Sequence, residues 1–235
     1  FQTCYVQHNE PQIGKDTLAV LEKNKVDCAC VKGLRCCGMP AWEQGNLEIL
    51  RVNAKRNLDI LIPFVEKGSK VLVINPTCSM MMRREYTELL DGEDRERAKK
   101  LSEAVNDPSE FLWNIRNEDR FNTNVNNIPN ETISYHAPCH LRAQGIGFKG
   151  RDLIKKITGS KVKTVMECCG HDGTYAMKVE GFDVSKRIGQ KSFDGMKSEE
   201  SEVWVTDCPL AALQFKQHAG VKPKHPMSIL AEAYR

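Results

Sequence analysis

The sequence predicts an α/β protein of two pseudo-symmetric lobes, each built around a parallel β-sheet. Two observations support this prediction. A cysteine pattern and its surrounding sequence occur twice, and short apolar segments alternate with longer segments of helical spacing. The length of 235 residues agrees, because it suits two cores of roughly 100–130 residues each.

The two halves carry matching sets of cysteines. Each set has an upstream cysteine, an adjacent Cys-Cys pair followed by glycine, and a downstream cysteine. The gaps are 31 and 40 residues in the first half and 28 and 38 in the second. Four thiolates collected at one point can hold an iron–sulfur cluster or a zinc ion. We therefore predict two metal centres, whose ligands are Cys4, Cys36, Cys37 and Cys78 in the first and Cys139, Cys168, Cys169 and Cys208 in the second.

Each half contains three segments that predict strands, separated by segments that predict helices. In the first half the strands are expected at residues 1–6, 26–31 and 70–75, and the helices at 14–24, 46–67 and 79–90. In the second half the strands are expected at 132–136, 163–166 and 202–206, and the helices at 150–157, 181–197, 211–219 and 227–234. This alternation predicts Rossmann-like lobes with parallel sheets. All the motif cysteines would then lie at or after the carboxyl ends of strands, which share one edge of a sheet.

Residues 91–130 differ in character from both halves. Residues 93–101 are highly charged and predict a solvated helix, and Asp107 followed by Pro108 predicts the start of another. Residues 122–130 are polar and rich in turn-forming residues, which is typical of a linker. We therefore expect a first lobe at 1–130, which includes the charged helical linker 91–130, and a second lobe at 131–235.

Composition excludes some classes of function. The net charge of +3 is small and no basic stripe alternates with aromatic residues, so nucleic acid is not an expected partner. No run of about 18 apolar residues occurs, so no transmembrane segment is expected. The cysteines follow a repeat rather than the density of a short secreted scaffold, which favours thiolate ligands in the cytoplasm over disulfides. The chain opens at Phe1 without a methionine, which leaves room for a preceding segment.

The two motifs resemble those of the tandem cysteine-rich domain family that is named for its Cys-Cys-Gly sequence. The resemblance rests on Cys36-Cys37-Gly38 and Cys168-Cys169-Gly170, and on the segments around the upstream and downstream cysteines. It covers essentially the whole chain. Members include one of the subunits of heterodisulfide reductase and the iron–sulfur subunits of anaerobic glycerol-3-phosphate dehydrogenase, glycolate oxidase and lactate utilisation.

The resemblance implies an iron–sulfur electron-transfer subunit or domain within an oxidoreductase complex, with no catalytic residue of its own. It implies one or two clusters, of the [4Fe-4S] type, bound by the eight motif cysteines. Electrons would come from a flavoprotein dehydrogenase subunit or another redox protein and pass to quinone or another acceptor. A ferredoxin-like domain precedes this region in many relatives and is expected before Phe1. The expected location is the cytoplasm or the inner face of the cytoplasmic membrane, where a partner would hold the protein peripherally.

One departure from the family bears on the chemistry. The fullest motif ends in Cys-x-x-Cys, and Met81 and Ala211 stand in the places of the fifth cysteines. A four-thiolate cluster that relays electrons therefore fits better than one that cleaves disulfides. Two alternatives stay open: a zinc-stabilised interaction module, with zinc in one or both sites, and a thiol/disulfide catalytic protein like heterodisulfide reductase.

Other residues near the motifs have both functional and structural interpretations. Cys28 and Cys30 alternate in a predicted strand without a counterpart in the second half, so we interpret them as structural. His140 and His171 adjoin motif cysteines and could bind metal or donate to sulfur. Packing or capping explains the two histidines equally well.

Overall fold

The computed structural model describes residues 1–127 and 132–235 and confirms an α/β protein with parallel sheets. In the first part, β1 (Val71–Leu72) pairs in parallel with β2 (Val105–Asn106). In the second part, a parallel sheet has the order β4-β3-β5. Its strands are β3 (Ile133–His136), β4 (Val162–Val165) and β5 (Val203–Thr206).

Helices surround both sheets. Those of the first part are α1 (Cys4–His8), α2 (Pro11–Lys23), α3 (Met39–Glu43), α4 (Leu47–Val65), α5 (Pro76–Met80), α6 (Tyr86–Leu89), α7 (Gly92–Ala104) and α8 (Pro108–Asn114). Those of the second part are α9 (Cys139–Ala143), α10 (Lys149–Thr158), α11 (Val179–Ser198), α12 (Pro209–Ala219) and α13 (Pro226–Ala233). Within the described residues none of these helices has the length and apolar character needed to cross a membrane.

Two strands that the sequence predicts are absent. Residues 1–6 do not form a strand, because Thr3 adopts a left-handed φ of 56° and its Oγ1 accepts from Val6 N, which starts α1 at Cys4. Residues 26–31 form a coil. The prediction that every cysteine site follows a strand is therefore correct for the second half and for Cys78, and wrong for Cys4 and for the pair that begins at Cys36.

The helix predicted at 79–90 is confirmed with two corrections. It begins three residues earlier, at Pro76, because the Asn75 side chain accepts from Thr77 N and caps it. A π-helical turn, Met81–Glu85, separates α5 from α6. Elsewhere, Pro63 lies inside α4, which continues to Val65.

The duplication extends beyond the cysteines to the end of each half. After β2, the Asp107 side chain accepts from Ser109 N and caps α8. In the second half, Lys224 forms a parallel bridge to β5, and the His225 side chain then accepts from Met227 N and caps α13. A short sheet contact followed by a capped helix with proline at its start therefore occurs twice.

The hydrophobic core does not divide at the expected lobe boundary. One cluster contains only first-half residues, between Cys37 and Val105. A second cluster joins Val20, Leu21 and Leu112 of the first half to the β3 sheet, α10 and α13 of the second half. Thus α2 and α8 pack against the second half. The boundary predicted between residues 130 and 131 lies outside the described residues, so the division into lobes stays a prediction.

Buried acids meet where the two halves adjoin. Asp107 follows β2 and Asp207 follows β5, and both side chains are buried. Burial, and then the charge of Asp207, raises the pKa of Asp107 to about 8. Burial also raises the pKa of Asp207 to about 6, although the Tyr135 hydroxyl donates to it. At neutral pH the pair therefore holds one proton, because two adjacent buried carboxylates do not both ionise readily.

Candidate metal centre

The structure brings the thiols of the first cysteine set beside one another. Cys4 is the first residue of α1, Cys36 and Cys37 precede α3, and Cys78 lies within α5. The Cys36 thiol neighbours those of Cys4 and Cys37, and the Cys37 thiol neighbours that of Cys78. The interaction of Cys37 with Cys36, followed by that with Cys78 and by burial, raises the pKa of Cys37 well above its ordinary value.

A buried amide and a tyrosine hold the loop that carries the first Cys-Cys pair. Asn57 of α4 accepts from Arg35 N at 2.8 Å through Oδ1 and donates to Arg35 O at 3.2 Å through Nδ2. Nδ2 also donates to the Tyr86 hydroxyl, which in turn donates to Cys37 O at 3.0 Å. Neither Asn57 nor Tyr86 is predicted from the sequence. The available signal was an asparagine on the apolar face of a predicted helix.

The second set lies at the carboxyl ends of β3, β4 and β5, as predicted. Cys139 begins α9, the pair that starts at Cys168 follows β4, and Cys208 directly precedes α12. The thiols of Cys139 and Cys168 are in contact, and Arg142 Nη2 donates to Cys139 Sγ at 3.3 Å. These contacts, the one with Cys168 first, lower the pKa of Cys139 to about 5. For Cys169 and Cys208, burial raises the pKa to about 11 and about 12.

A buried histidine ties the three strand ends of this sheet together. His136, at the end of β3, has one ring nitrogen 3.1 Å from Thr206 Oγ1 and the other 3.1 Å from Glu167 O. Burial lowers the pKa of His136 to about 4, so the ring is neutral at neutral pH. The imidazole therefore fixes the segment leading to Cys168 against the strand leading to Cys208.

Glycine is required after the second Cys-Cys pair. Gly170 has φ of +78°, and a Cβ there would overlap the carbonyl oxygen of Ser185 in α11. Ser185 Oγ donates to Gly170 O at 2.7 Å, which holds the loop against the helix. Gly38 in the first motif also has a left-handed φ, of +96°, and its Cβ would meet Leu50. The left-handed conformation explains both glycines, and at Gly170 the close approach of the α11 backbone is a second reason.

Burial repeats with the cysteine pattern. In each set the second cysteine of the pair and the downstream cysteine are buried: Cys37 and Cys78 are 2% and 5% exposed, and Cys169 and Cys208 are 6% and 8% exposed. The upstream cysteine and the first of the pair are more accessible in both sets. Each set therefore has an inner, buried side and an outer, more accessible side.

Polar contacts connect the surroundings of the two sets. Thr77 Oγ1, next to Cys78, lies 2.8 Å from His140 Nδ1, next to Cys139. Between the two Cys-Cys-Gly loops, Glu43 Oε2 accepts from Thr174 N at 2.9 Å. His140, which is predicted to bind metal or to donate to sulfur, thus contacts the Thr77 hydroxyl. Burial lowers the pKa of His171, the other candidate.

Cysteine thiols are the donors that iron–sulfur clusters use, and zinc also binds four of them. Within residues 1–127 and 132–235, no three Cys, His, Asp or Glu side chains are placed to ligate one metal ion. The first set supplies four neighbouring thiols whose mutual contacts raise the pKa of Cys37, and a positively charged centre would favour their thiolate forms.

Comparison with known proteins identifies the family. The model of the cysteine-rich domain that is named CCG matches residues 1–83 and again residues 133–216. The chain belongs to this family. Both matched segments include one Cys-Cys-Gly motif with its upstream and downstream cysteines, as the duplication in the sequence predicts.

Two kinds of relative share this cysteine-rich domain. The chain is 28% identical to an anaerobic glycerol-3-phosphate dehydrogenase subunit of Escherichia coli (strain K12), over 99% of this chain and 58% of the relative. It is 27% identical to lactate utilization protein A 2 of Bacillus cereus (strain AH820), over 87% of this chain and 83% of the relative. The chain thus spans less than two thirds of the dehydrogenase subunit.

Proposed function

We propose that this chain is the electron-transfer portion of a flavin-linked dehydrogenase or related oxidoreductase system. It would receive electrons from a flavoprotein subunit or another redox protein and pass them to quinone or another acceptor. The observation that supports this most directly is that the four thiols of the first set, from Cys4 to Cys78, lie beside one another. The similarity to a glycerol-3-phosphate dehydrogenase subunit supports the class of complex.

The proposed cofactor is a [4Fe-4S] cluster at one or both cysteine sets, which would supply one-electron chemistry. Cys4, Cys36, Cys37 and Cys78 would hold the first, and Cys139, Cys168, Cys169 and Cys208 the second. The chain's own residues would bind the cluster and shield it from solvent. Asn57 and Tyr86 position the first pair, and His136 positions the second. Arg142, which donates to Cys139 Sγ, would stabilise negative charge on the second centre and raise its reduction potential.

The wider assembly is part of the proposal. A ferredoxin-like domain before Phe1 would extend the chain of redox centres. A cytoplasmic location, at the inner face of the membrane through a partner, would place the protein near a quinone. The more accessible cysteines of each set, such as Cys36 and Cys168, lie on the side from which such partners would approach.

Anaerobic purification followed by iron, sulfide and zinc analysis tests the proposal. The expected protein is brown and contains about four iron and four sulfide per occupied site. It should give an electron paramagnetic resonance signal when it is reduced. Colourless anaerobic protein without iron would overturn the proposal. Zinc at about one equivalent per site without sulfide would instead support the interaction module.

A further inference from the structure

Cys28 and Cys30 lie outside both cysteine sets, in a setting that the sequence does not predict. Residues 26–31 form a coil after α2 instead of a strand, and both cysteine side chains are exposed. The corresponding segment of the second half is β4, an edge strand that carries no cysteine. The duplicated halves therefore differ at this place in both backbone and chemistry, so a structural role in a sheet does not account for the two thiols.

Cys28 and Cys30 are two positions apart, a spacing that a disulfide can span. Their Cα atoms lie at most about 7 Å apart, so a slightly bent segment brings them within the about 4.4–6.8 Å that a disulfide needs. The Cys28 thiol is exposed but partly covered by its neighbours; this partial burial raises its pKa, and the charge of the nearby Cys30 raises it further.

The coil is held at its ends and open between them. Val26 N donates to Leu21 O at 3.0 Å, and the Gln2 side chain donates to Val31 O at 3.2 Å. The second contact brings the coil beside the segment that leads to Cys4. The anchored ends hold the segment that carries the two thiols in place. Because both thiols are exposed, a small molecule can reach either sulfur.

We propose that Cys28 and Cys30 form a redox-active dithiol that exchanges with small disulfides such as glutathione disulfide. One cysteine thiolate attacks a sulfur of the small disulfide, forms a mixed disulfide and releases one thiol. The second cysteine attacks the protein sulfur of the mixed disulfide, releases the second thiol and closes the Cys28–Cys30 bond. The protein loses two electrons, the small disulfide gains them, and the two cysteine protons end on the two released thiols.

Trypsin offers a direct test, because cleavage after Lys25 and Lys32 releases residues 26–32 with no other cysteine. The anaerobically purified full chain is equilibrated in glutathione buffers of increasing oxidised fraction, alkylated, digested and weighed by mass spectrometry. The expected peptide changes from doubly alkylated to unalkylated and two hydrogens lighter. In Cys28→Ser and in Cys30→Ser, the remaining cysteine should instead carry one glutathione or one alkyl group.

Three outcomes would overturn the proposal. The peptide could remain doubly alkylated at every buffer ratio, or it could carry two separate glutathione adducts. It could also escape alkylation without becoming lighter, which is the mark of thiols shielded by a metal. None of these readouts depends on the two cysteine sets or on their cofactors, so the result is independent of the proposed electron-transfer function.

Discussion

Replacing Asp107 by asparagine should remove a pH dependence of stability that this buried acid imposes on the fold. The pKa of Asp107 is raised to about 8, whereas an aspartate in an unfolded chain has a pKa of about 3.9. Between these values the folded chain holds a proton that the unfolded chain releases. The contribution of Asp107 to folding stability is therefore fully present below about pH 4 and is lost as pH rises towards about 8.

The magnitude follows from proton linkage. One proton bound only in the folded state costs about 1.4 kcal/mol of unfolding free energy for each pH unit. The contribution of Asp107 to the free energy of unfolding should therefore fall by about 3 kcal/mol between about pH 5 and about pH 7. Asparagine keeps the cap, because its side-chain oxygen can still accept from Ser109 N, but it has no proton to release. Asp107→Asn should thus gain stability relative to wild type as pH rises.

Denaturant unfolding followed by circular dichroism, at several pH values and under reducing conditions, measures this effect. The unfolding slope m should be the same in both proteins, so that midpoints report stability. Asp119→Asn is a matched control that removes an exposed carboxylate shortly after α8, and it should leave the wild-type profile unchanged. Parallel pH profiles for wild type and Asp107→Asn would refute the reasoning.

Three further predictions concern the cysteine loops. Gly170→Ala should lower the free energy of unfolding, measured with denaturant, by about 3 kcal/mol or more. Gly220 is equally left-handed but has open space around it, so Gly220→Ala should lower it by only about 1 kcal/mol. Equal losses would contradict the close approach of Gly170 to α11. Tyr86→Phe should lower the unfolding free energy by about 1–2 kcal/mol, because the carbonyl of Cys37 loses its donor; an unchanged midpoint would contradict this. Cys37→Ser and Cys169→Ser should each remove about half of the bound iron in metal analysis, and loss of all iron from either folded variant would mean shared sites.

The parts of the fold that could be predicted from the sequence are those with strong local signals. The helix after Asp107 was predicted from a capping residue followed by proline, and the structure adds a full capping box with Glu110. The strand before Cys208 was predicted from a continuous run of β-prone residues, and it forms with two parallel contacts, to β3 and to Lys224. Local chemistry was sufficient in both cases.

The wrong predictions depended on contacts that are distant in sequence. Residues 26–31 have the composition of a strand, but within the described residues no neighbouring strand pairs with them. A short apolar run predicts a strand but carries no information on whether a neighbouring strand pairs with it. The same limit applies to the site: its cysteines were predicted from their spacing, whereas Asn57 is recognisable only when α4 is seen to face the loop before Cys36.

The packing of α2 against α13 has a consequence for how the chain is made. Val20 and Leu21 are buried in a cluster with residues near the carboxyl terminus, and Asn24 bonds Tyr234 across 210 positions. A ribosome adding about 5–20 residues per second needs roughly 10–40 s to produce that partner. During this interval the apolar face of α2 stays uncovered on the nascent chain. Within this chain, α2 is thus synthesised well before α13, the helix that buries its apolar face, and until then that face is open to a chaperone.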